Sequence, residues 1–570
     1  MDPDYQKLEF PYARSVDQDA PEPAHHPVVV VGAGPVGLTA AIDLAQRGMR
    51  VVLLDEDNRL STGSRAICFA KRTLEIWDRL GCGERMVQKG VSWNVGKVYF
   101  QDKLVYSFNL LPEPGHHRPA FINLQQYYCE GYLCEQAQTL ANLDLRWKHK
   151  VVAIEPSRDG VNLDVETPEG AYRLRADYVI ACDGARSSVR GLIGQESTGR
   201  TFDDRFLIAD VKMEADFPPE RWFWFDPPFH RHQSTLLHRQ PDNVWRIDFQ
   251  LGRDTDPELE KTPERVVPRV RALLGETARF EVQWVSVYTF SCARMENFRH
   301  GRILFAGDAA HCVSPFGARG ANSGVQDAEN LAWKLAWVLE RRAPETLLDS
   351  YSDERRYAAD ENIRCSTRAT DFITPKNRVS RTFRDATLKL AKDFPFARRL
   401  VNSGRLSVPT VLRDSWLNTP DGDAFAGDMI PGAPCVDGPI AVSGSAGWLL
   451  THLGNGFNGI YFSDGSLSTT AREGLTDLGA TRNCVHVTLV IPKGATLSRP
   501  IAGASVVEDR DGAIQRRFDA RPGTFYLLRP DQHVCARWRS FDVGAVETAI
   551  RRAVGNACQS ASFVRPLRNR

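Results

Sequence analysis

The chain has 570 residues, 72 Lys and Arg against 71 Asp and Glu, and 42% hydrophobic residues. That length exceeds what one hydrophobic core supports, so two or three domains are expected. The near-zero net charge leaves no field to draw the chain onto nucleic acid or an anionic membrane. Twelve cysteines with no Cys-x-x-Cys pair fit neither structural zinc nor a dense disulfide framework, so no metal site is expected.

A polar arm, 1–26, comes first; it holds Asp2, Asp4, Glu9, Asp17, Asp19 and Glu22 and lacks the apolar run of a signal peptide. The most apolar stretch, 27–45, is broken by Gly, Pro and Asp43, which argues against a membrane span. With scattered single thiols, this points to the cytoplasm. A βαβ unit follows, with strands at 28–31 and 50–54 around a helix at 36–47, and four consecutive valines suit a strand buried on both faces. Helical stretches are expected near 70–80 and 121–140, then a strand at 172–182. From 201 to 291 aromatic and alternating runs, 221–225 and 244–251, look like antiparallel strands. A buried strand at 302–306 feeds a helix at 324–340, and a charged helical stretch occupies 353–412. Strands at 485–491 and 523–528 and a helix at 543–554 suggest a small α/β domain after about residue 427.

Three motifs carry chemistry. Gly32, Gly34 and Gly37 sit between a strand and a helix, where they permit a tight turn and close approach of a pyrophosphate to free N–H groups. Asp55 ends the next strand, where an acid can hydrogen-bond an adenosine ribose. Further on, Asp308 follows a buried strand, and a glycine-rich turn, 315–324, opens a helix. A carboxylate there can grip the ribitol of a flavin, and helical N–H donors can face the edge of its ring system. Asp183, in Asp183-Gly184-Ala185-Arg186-Ser187-Ser188-Val189-Arg190, stands between the two. That acid and its arginines would reach both the flavin and an incoming pyridine nucleotide.

In this order and spacing, from about 28 to 356, the motifs resemble the class A flavoprotein monooxygenases, the family of FAD-dependent aromatic hydroxylases. The resemblance implies FAD contacts from Gly32, Gly34, Gly37, Asp55 and Asp308, and adds Arg65 and Gln126 near the ribityl and pyrophosphate. Gly320 and Asn322 would contact the flavin ring. Arg319 stands where many relatives carry Gln, and Asp55 where Glu is common. The last third resembles the thioredoxin-like domain appended in a subset of the family. Length and linker look closest to the 3-(3-hydroxyphenyl)propionate hydroxylase group. The implied architecture is α/β: a Rossmann-like FAD-binding domain (27–200 and 292–370), an inserted antiparallel substrate sheet (201–291), a helical linker (371–426) and a thioredoxin-like domain (427–570). Lacking the redox Cys-x-x-Cys, that last domain is read as structural or dimerising, in a homodimer.

The implied reaction takes electrons from NADH or NADPH and inserts one atom of O2 into a phenolic ring through a flavin C4a-hydroperoxide. The protein must bind the ring, help deprotonate its hydroxyl and exclude water. His238, Pro315 and Arg319 are the candidate catalytic residues. His232, Tyr288 and His311 are further candidates, and for these, as for His238, a structural role suits the residue better than catalysis. Among Trp222, Phe223, Trp224, Trp245 and Phe249, about two are expected to line the substrate pocket, because alternate strand residues face opposite ways. The turn 315–324 is expected to act as a flexible hinge. The alternative is an FAD-dependent dehydrogenase or oxidase without oxygen insertion, or a flavin-binding protein without catalysis.

Overall fold

The structure is a computed structural model describing residues 4–63, 66–214, 217–252, 254–401, 406–480, 485–497 and 499–556. Two compact units are present: Met1–Trp333 with Ser352–Thr410, and Lys334–Tyr351 with Val411–Arg570. The boundary at 410/411 falls within the stretch expected as a linker.

The first unit begins with an arm that is packed down. Tyr5 is buried against Gly131, and Phe10 stacks on Trp147 at 4.5 Å. The chain then runs through β1 (Ala24–Val31), α1 (Pro35–Gln46), β2 (Val51–Asp55), β3 (Cys68–Ala70) and α2 (Lys71–Arg79). It continues through β4 (Val95–Phe100), β5 (Lys103–Asn109), β6 (Phe121–Asn123), α3 (Gln126–Gln138), β7 (Leu143–Trp147) and β8 (Gly170–Ala181). Next come β9 (Arg205–Met213), β10 (Arg221–Phe225), β11 (Ser234–Arg239), β12 (Val244–Leu251), α4 (Pro263–Leu274) and β13 (Phe280–Tyr288). Last are β14 (Ile303–Phe305), α5 (Gly320–Leu339) and α6 (Leu347–Ile373), of which 334–339 and 347–351 are counted with the second unit, and α7 (Arg378–Asp393).

Strands β14, β8, β1, β2 and β7 form the parallel part of one sheet, in that order. Crossover helices cover parallel strands on both faces, which is why the valines of β1 are buried. A second sheet has the order β13-β9-β12-β11-β10-β4-β5. It is antiparallel except where β10 pairs with β4. Two of its seven strands thus come from 95–109, well before the 201–291 segment expected to supply it.

Alternation sorts this second sheet into two faces. On one, Leu207, Ala209, Val211, Trp224, Leu237, Trp245, Ile247 and Phe249 form a core with Val266 and Val270 of α4. Four of the five expected pocket aromatics, Trp222 included, belong to this face. Only Phe223 belongs to the other, where Phe206, Phe225, Leu236 and Phe316 pack with Ile373 and Leu388.

The second unit contains β15 (Pro439–Val442), β16 (Ser445–Trp448), β17 (Phe457–Phe462), α8 (Thr469–Ala480), β18 (Val485–Pro492), β19 (Ala504–Asp509), β20 (Phe525–Leu528), β21 (Val534–Trp538) and α9 (Val543–Ala553). Its sheet order is β16-β15-β19-β18-β17-β20-β21. β17, β18 and β19 are parallel, and β20 and β21 return antiparallel. No helix among the described residues is long and apolar enough to cross a membrane.

Candidate active site

The glycine turn after β1 shows a separate physical reason for each glycine. Gly32 has φ +102°, and a Cβ there would sit 2.6 Å from the Cys182 carbonyl oxygen. A Cβ on Gly37 would sit 1.9 Å from the Gly32 carbonyl oxygen, so the third glycine lets helix and turn touch. In front of Gly34 nothing lies within 4 Å, the open approach a pyrophosphate needs. Asp55 braces the turn: its Oδ2 accepts from the Ala33 N–H at 2.6 Å and its Oδ1 from the Asp57 N–H at 2.8 Å. Burial raises its pKa above the ordinary value.

Gln126 is the first residue of α3. Its Oε1 accepts from the Ala66 N–H at 3.0 Å, and its Nε2 donates to Ser61 Oγ and Glu130 Oε1, both at 2.8 Å. Glu130, buried, accepts from the Ser61 N–H and hydroxyl at 2.7 Å. These bonds fix both flanks of the segment containing Arg65, which itself lies outside the described residues.

The second half of the cradle is organised by Asp327 of α5. It accepts from the Gly307 N–H at 3.0 Å, His311 Nε2 at 2.7 Å and Arg355 Nε at 2.5 Å. Its bonds to His311 and Arg355 hold its carboxyl below the ordinary value despite full burial. His311 is thereby a structural partner. Asp308, exposed, projects from the turn so held, and a Cβ on Gly320 would find its nearest neighbours at 3.8 Å. Val36 of α1 packs on Gly307 and Gly324, where any Cβ would collide with it, so the two glycine motifs share one surface. Asp183 Oδ2 accepts from the Val189 N–H at 3.0 Å, while its buried Oδ1 has no protein partner. Arg190 donates to the Ala309 and Ala185 carbonyls at 2.8 and 2.7 Å, tying this motif to the Asp308 turn, and Arg186 is exposed. Open glycine approaches, an unpartnered buried oxygen and braced carboxylates together fit a dinucleotide-sized flavin.

Three expected residues sit differently from the sequence reading. The Asn322 side chain is occupied within the protein, accepting from Ala70 N–H and Thr73 Oγ and donating to the Cys68 and Ala318 carbonyls at 2.6–2.9 Å. Arg319 is buried and donates to Asn362 Oδ1 of α6 at 3.1 Å. Pro315 is exposed and starts a short 3-10 turn that ends at Ala318 in the left-handed region. That turn is held down: Ser407 N–H donates to the Gly317 carbonyl at 2.8 Å, and Arg221 Nη2 donates to the Phe316 carbonyl at 3.2 Å. A loose hinge at 315–324 is therefore not what the fold provides.

Arg221 leads to the polar part of the second sheet. Pairing places Asp210 beside Arg246, and Arg246 beside His238. In the neighbouring row, Asp248 lies between Leu236 and Ile208. Arg246 donates to both Asp210 oxygens at 2.9 and 3.0 Å. His238 is buried, with Nδ1 3.9 Å from Cys68 Sγ and Nε2 3.7 Å from Asp248 Oδ2. Burial and the two arginines hold its pKa well below 6.5, so it stays neutral and is a weak base, contrary to the role expected of it. Asp248 is the residue the sequence reading missed. Burial pushes its carboxyl up to about 6, with Arg246 and Arg221 pulling the other way, and its Oδ1 is buried without a partner. His232 and Tyr288 are exposed. Among the described residues, no group of three His, Cys, Asp or Glu side chains is placed to hold a metal ion.

The family model described as FAD binding domain matches residues 25–366, and that of the HcaD C-terminal domain matches 449–553. A 3-(3-hydroxy-phenyl)propionate/3-hydroxycinnamic acid hydroxylase of Mycobacterium avium is 30% identical over 401 residues, covering 69% of this chain and 67% of the relative. A 6-methylpretetramide 4-monooxygenase of Streptomyces rimosus is 29% identical over 543 residues, 91% of each chain. The solved flavin-dependent monooxygenase PieE, in complex with FAD and substrate, shares the fold with a TM-score of 0.79 at 21% identity, over 94% of this chain and 100% of its own. The site and its relatives define a flavoprotein hydroxylase. The chain belongs to the FAD-binding domain family, as an FAD-dependent monooxygenase of aromatic compounds that uses NAD(P)H, and the dehydrogenase alternative is set aside.

Proposed function

We propose that the chain hydroxylates a phenol bound on the polar face of the second sheet, close to Arg221, His238, Arg246 and Asp248. One observation carries this reading: four ionisable side chains lie together on the sheet face that also meets the flavin-side turn, through the Arg221 bond to the Phe316 carbonyl. FAD, when bound, relays electrons from NAD(P)H and activates O2 for transfer of one oxygen atom. Gly32, Gly34, Gly37 and Asp55 would hold its pyrophosphate and adenosine ribose. Arg65 and Gln126 would lie along the ribityl side, with Asp183, Asp308 and the backbone of Gly320 and Asn322 nearer the ring. The apolar members of the same face, Phe206, Phe223 and Leu236, would receive the aromatic ring and keep water away from it. The relatives' substrates suggest either a single phenolic ring bearing a propionate or a fused polycyclic phenol.

The finer architecture belongs to the same proposal. In the second unit β17-α8-β18 forms a βαβ crossover, and β20-β21-α9 follows on the far side of β17. That order supports a thioredoxin-like domain serving packing within a homodimer, and the ten free cysteines among the described residues support a cytoplasmic setting.

Purified protein should be yellow, release one FAD per chain on denaturation, and oxidise NAD(P)H at least about tenfold faster with its phenol, equivalent to roughly 1.4 kcal/mol off the reduction barrier. A panel containing 3-(3-hydroxyphenyl)propionate and a tetracyclic phenol, followed by oxygen uptake and product analysis, tests this. Equal rates with and without every phenol would remove the phenolic reading.

A further inference from the structure

We infer that Asp248 is the group that accepts the phenol proton, with Arg221 and Arg246 stabilising the phenolate. The inference rests on the phenolic reading above. Its basis is the environment of one carboxylate. Asp248 lies in mid-strand on the polar face of the sheet, flanked across the pairing by Leu236 and Ile208. Its side chain is 19% exposed, so it is enclosed without being sealed. Oδ2 stands 3.7 Å from His238 Nε2, beyond hydrogen-bond range, and Oδ1 is buried without a partner. A carboxylate kept in that state is destabilised as an anion, and it retains free lone pairs for a donor brought by a ligand.

The neighbours divide the work. Arg246 is already neutralised by Asp210 through two hydrogen bonds. Arg221 is buried, and its protein hydrogen bond goes to a backbone carbonyl; among the described residues it has no carboxylate within ion-pair distance. A guanidinium so placed favours an anion close by. Cys68, the remaining titratable neighbour, has its thiol pushed up to about 11 by burial and stays protonated. The groups facing Asp248 are thus two cations, one of them paired, a neutral imidazole and a neutral thiol. Of these, Asp248 alone combines lone pairs that no protein donor engages with a basicity suited to neutral pH. In the step, the phenol O–H bond breaks, the proton goes to a carboxylate oxygen of Asp248, and the electron pair stays on the phenolate oxygen. No electron transfer is involved.

The test uses the FAD-loaded enzyme with 3-(3-hydroxyphenyl)propionate and ring-fluorinated analogues whose hydroxyl is already ionised at the assay pH. Asp248→Asn should lower hydroxylation of the parent phenol by about 100-fold or more, with the lost turnovers appearing as peroxide. The loss should shrink to within about tenfold for the pre-ionised analogues, and the wild-type rise of kcat/KM through about pH 6 should disappear. Asp248→Ala, with added formate restoring parent-phenol turnover, gives an independent reading. A loss of equal size for every phenol, whatever its acidity, would mark Asp248 as structural and overturn the inference alone. Failure of the wild type to hydroxylate any phenol would overturn the phenolic reading and this inference together.

Discussion

A buried carboxylate that has no hydrogen-bond partner on one oxygen is unfavourable for folding, and Asp248 is such a group. Its pKa is about 6 in the fold against an ordinary 3.8, so the folded state holds the proton more tightly than the unfolded chain. Below about pH 4 both states carry it and nothing is lost. Between about pH 4 and 6 the unfolded chain ionises Asp248 while the folded protein keeps the proton, so stability falls across that window, and above 6 the full penalty for a shift of about 2 pH units, up to about 3 kcal/mol, remains. Asp248→Asn should therefore be more stable than wild type at pH 7.5, and the gain should fade as the pH drops from 6 towards 4. Urea melts of the holoenzyme at several pH values check this, and a variant less stable at every pH would contradict the assigned environment. Such stability exchanged for reactivity is typical of catalytic groups. Asp248 was illegible in the sequence because an acid inside Val-Trp-Arg-Ile-Asp-Phe reads as one solvent-facing position of an alternating strand. Parity places it opposite Trp245 and Phe249, but only the sheet register reveals that this face is covered by another layer. The glycines at 32, 34 and 37 were legible because their chemistry is local, set by the backbone within one turn.

At the scale of elements, the helices around the flavin site are held by ionic bonds that no local pattern announces. Asp43 of α1 is fully buried and receives Arg47 Nε at 2.9 Å and Arg79 of α2 at 2.7 and 2.9 Å. Arg72 of α2 reaches both oxygens of Glu329 on α5 at 2.9 Å. The helix after the glycine turn, the helix after β3 and the helix after the Asp308 motif are thus linked by charges that burial keeps strong. Removing one partner leaves the others charged in an apolar setting, which is more harmful than never having buried them. Asp43→Ala should destabilise the protein by about 3–5 kcal/mol and weaken FAD retention, with denaturant midpoints and flavin release as the measurements. A midpoint within experimental error of wild type would refute a supporting role for the network. From sequence, Asp43 registered only as an interruption in an apolar run, and its partners are remote in the chain. The strands were more visible, since 221–225 and 244–251 coincide with β10 and β12. Strands β4 and β5 were missed because β4 joins the sheet through β10, more than a hundred positions away, and β5 joins it only through β4; no periodicity within 95–109 encodes that partner.

At the scale of the whole molecule, the packing role proposed for the second unit draws its support from a dense core and from the setting of its thiols. Its sheet buries Ile460, Phe462, Val490, Val507, Tyr526 and Leu528 in one core. The buried Arg529–Asp531 ion pair, with bonds at 3.0 and 2.7 Å, fixes the turn between β20 and β21. Cys535 lies in β21 next to that pair, and burial pushes its thiol up to about 12, so it is protonated and a poor nucleophile at neutral pH. Cys435 is also buried, and its Sγ is turned onto the Val436 carbonyl at 3.7 Å. Cys484 and Cys558 lie outside the described residues. Neither described thiol has the exposed, electropositive setting that lowers a cysteine pKa enough for disulfide exchange. The double variant Cys435→Ala, Cys535→Ala should accordingly keep kcat and product yield within about twofold of wild type. It should lose stability by the usual amount for trimming small buried groups, about 1–2 kcal/mol for the pair. Product yield per NAD(P)H and a thermal melt, measured on the same FAD-loaded sample, separate the two effects. A variant that folds and holds FAD normally, yet turns over tenfold slower, would show that these thiols take part in electron transfer and would recast the second unit as a redox domain.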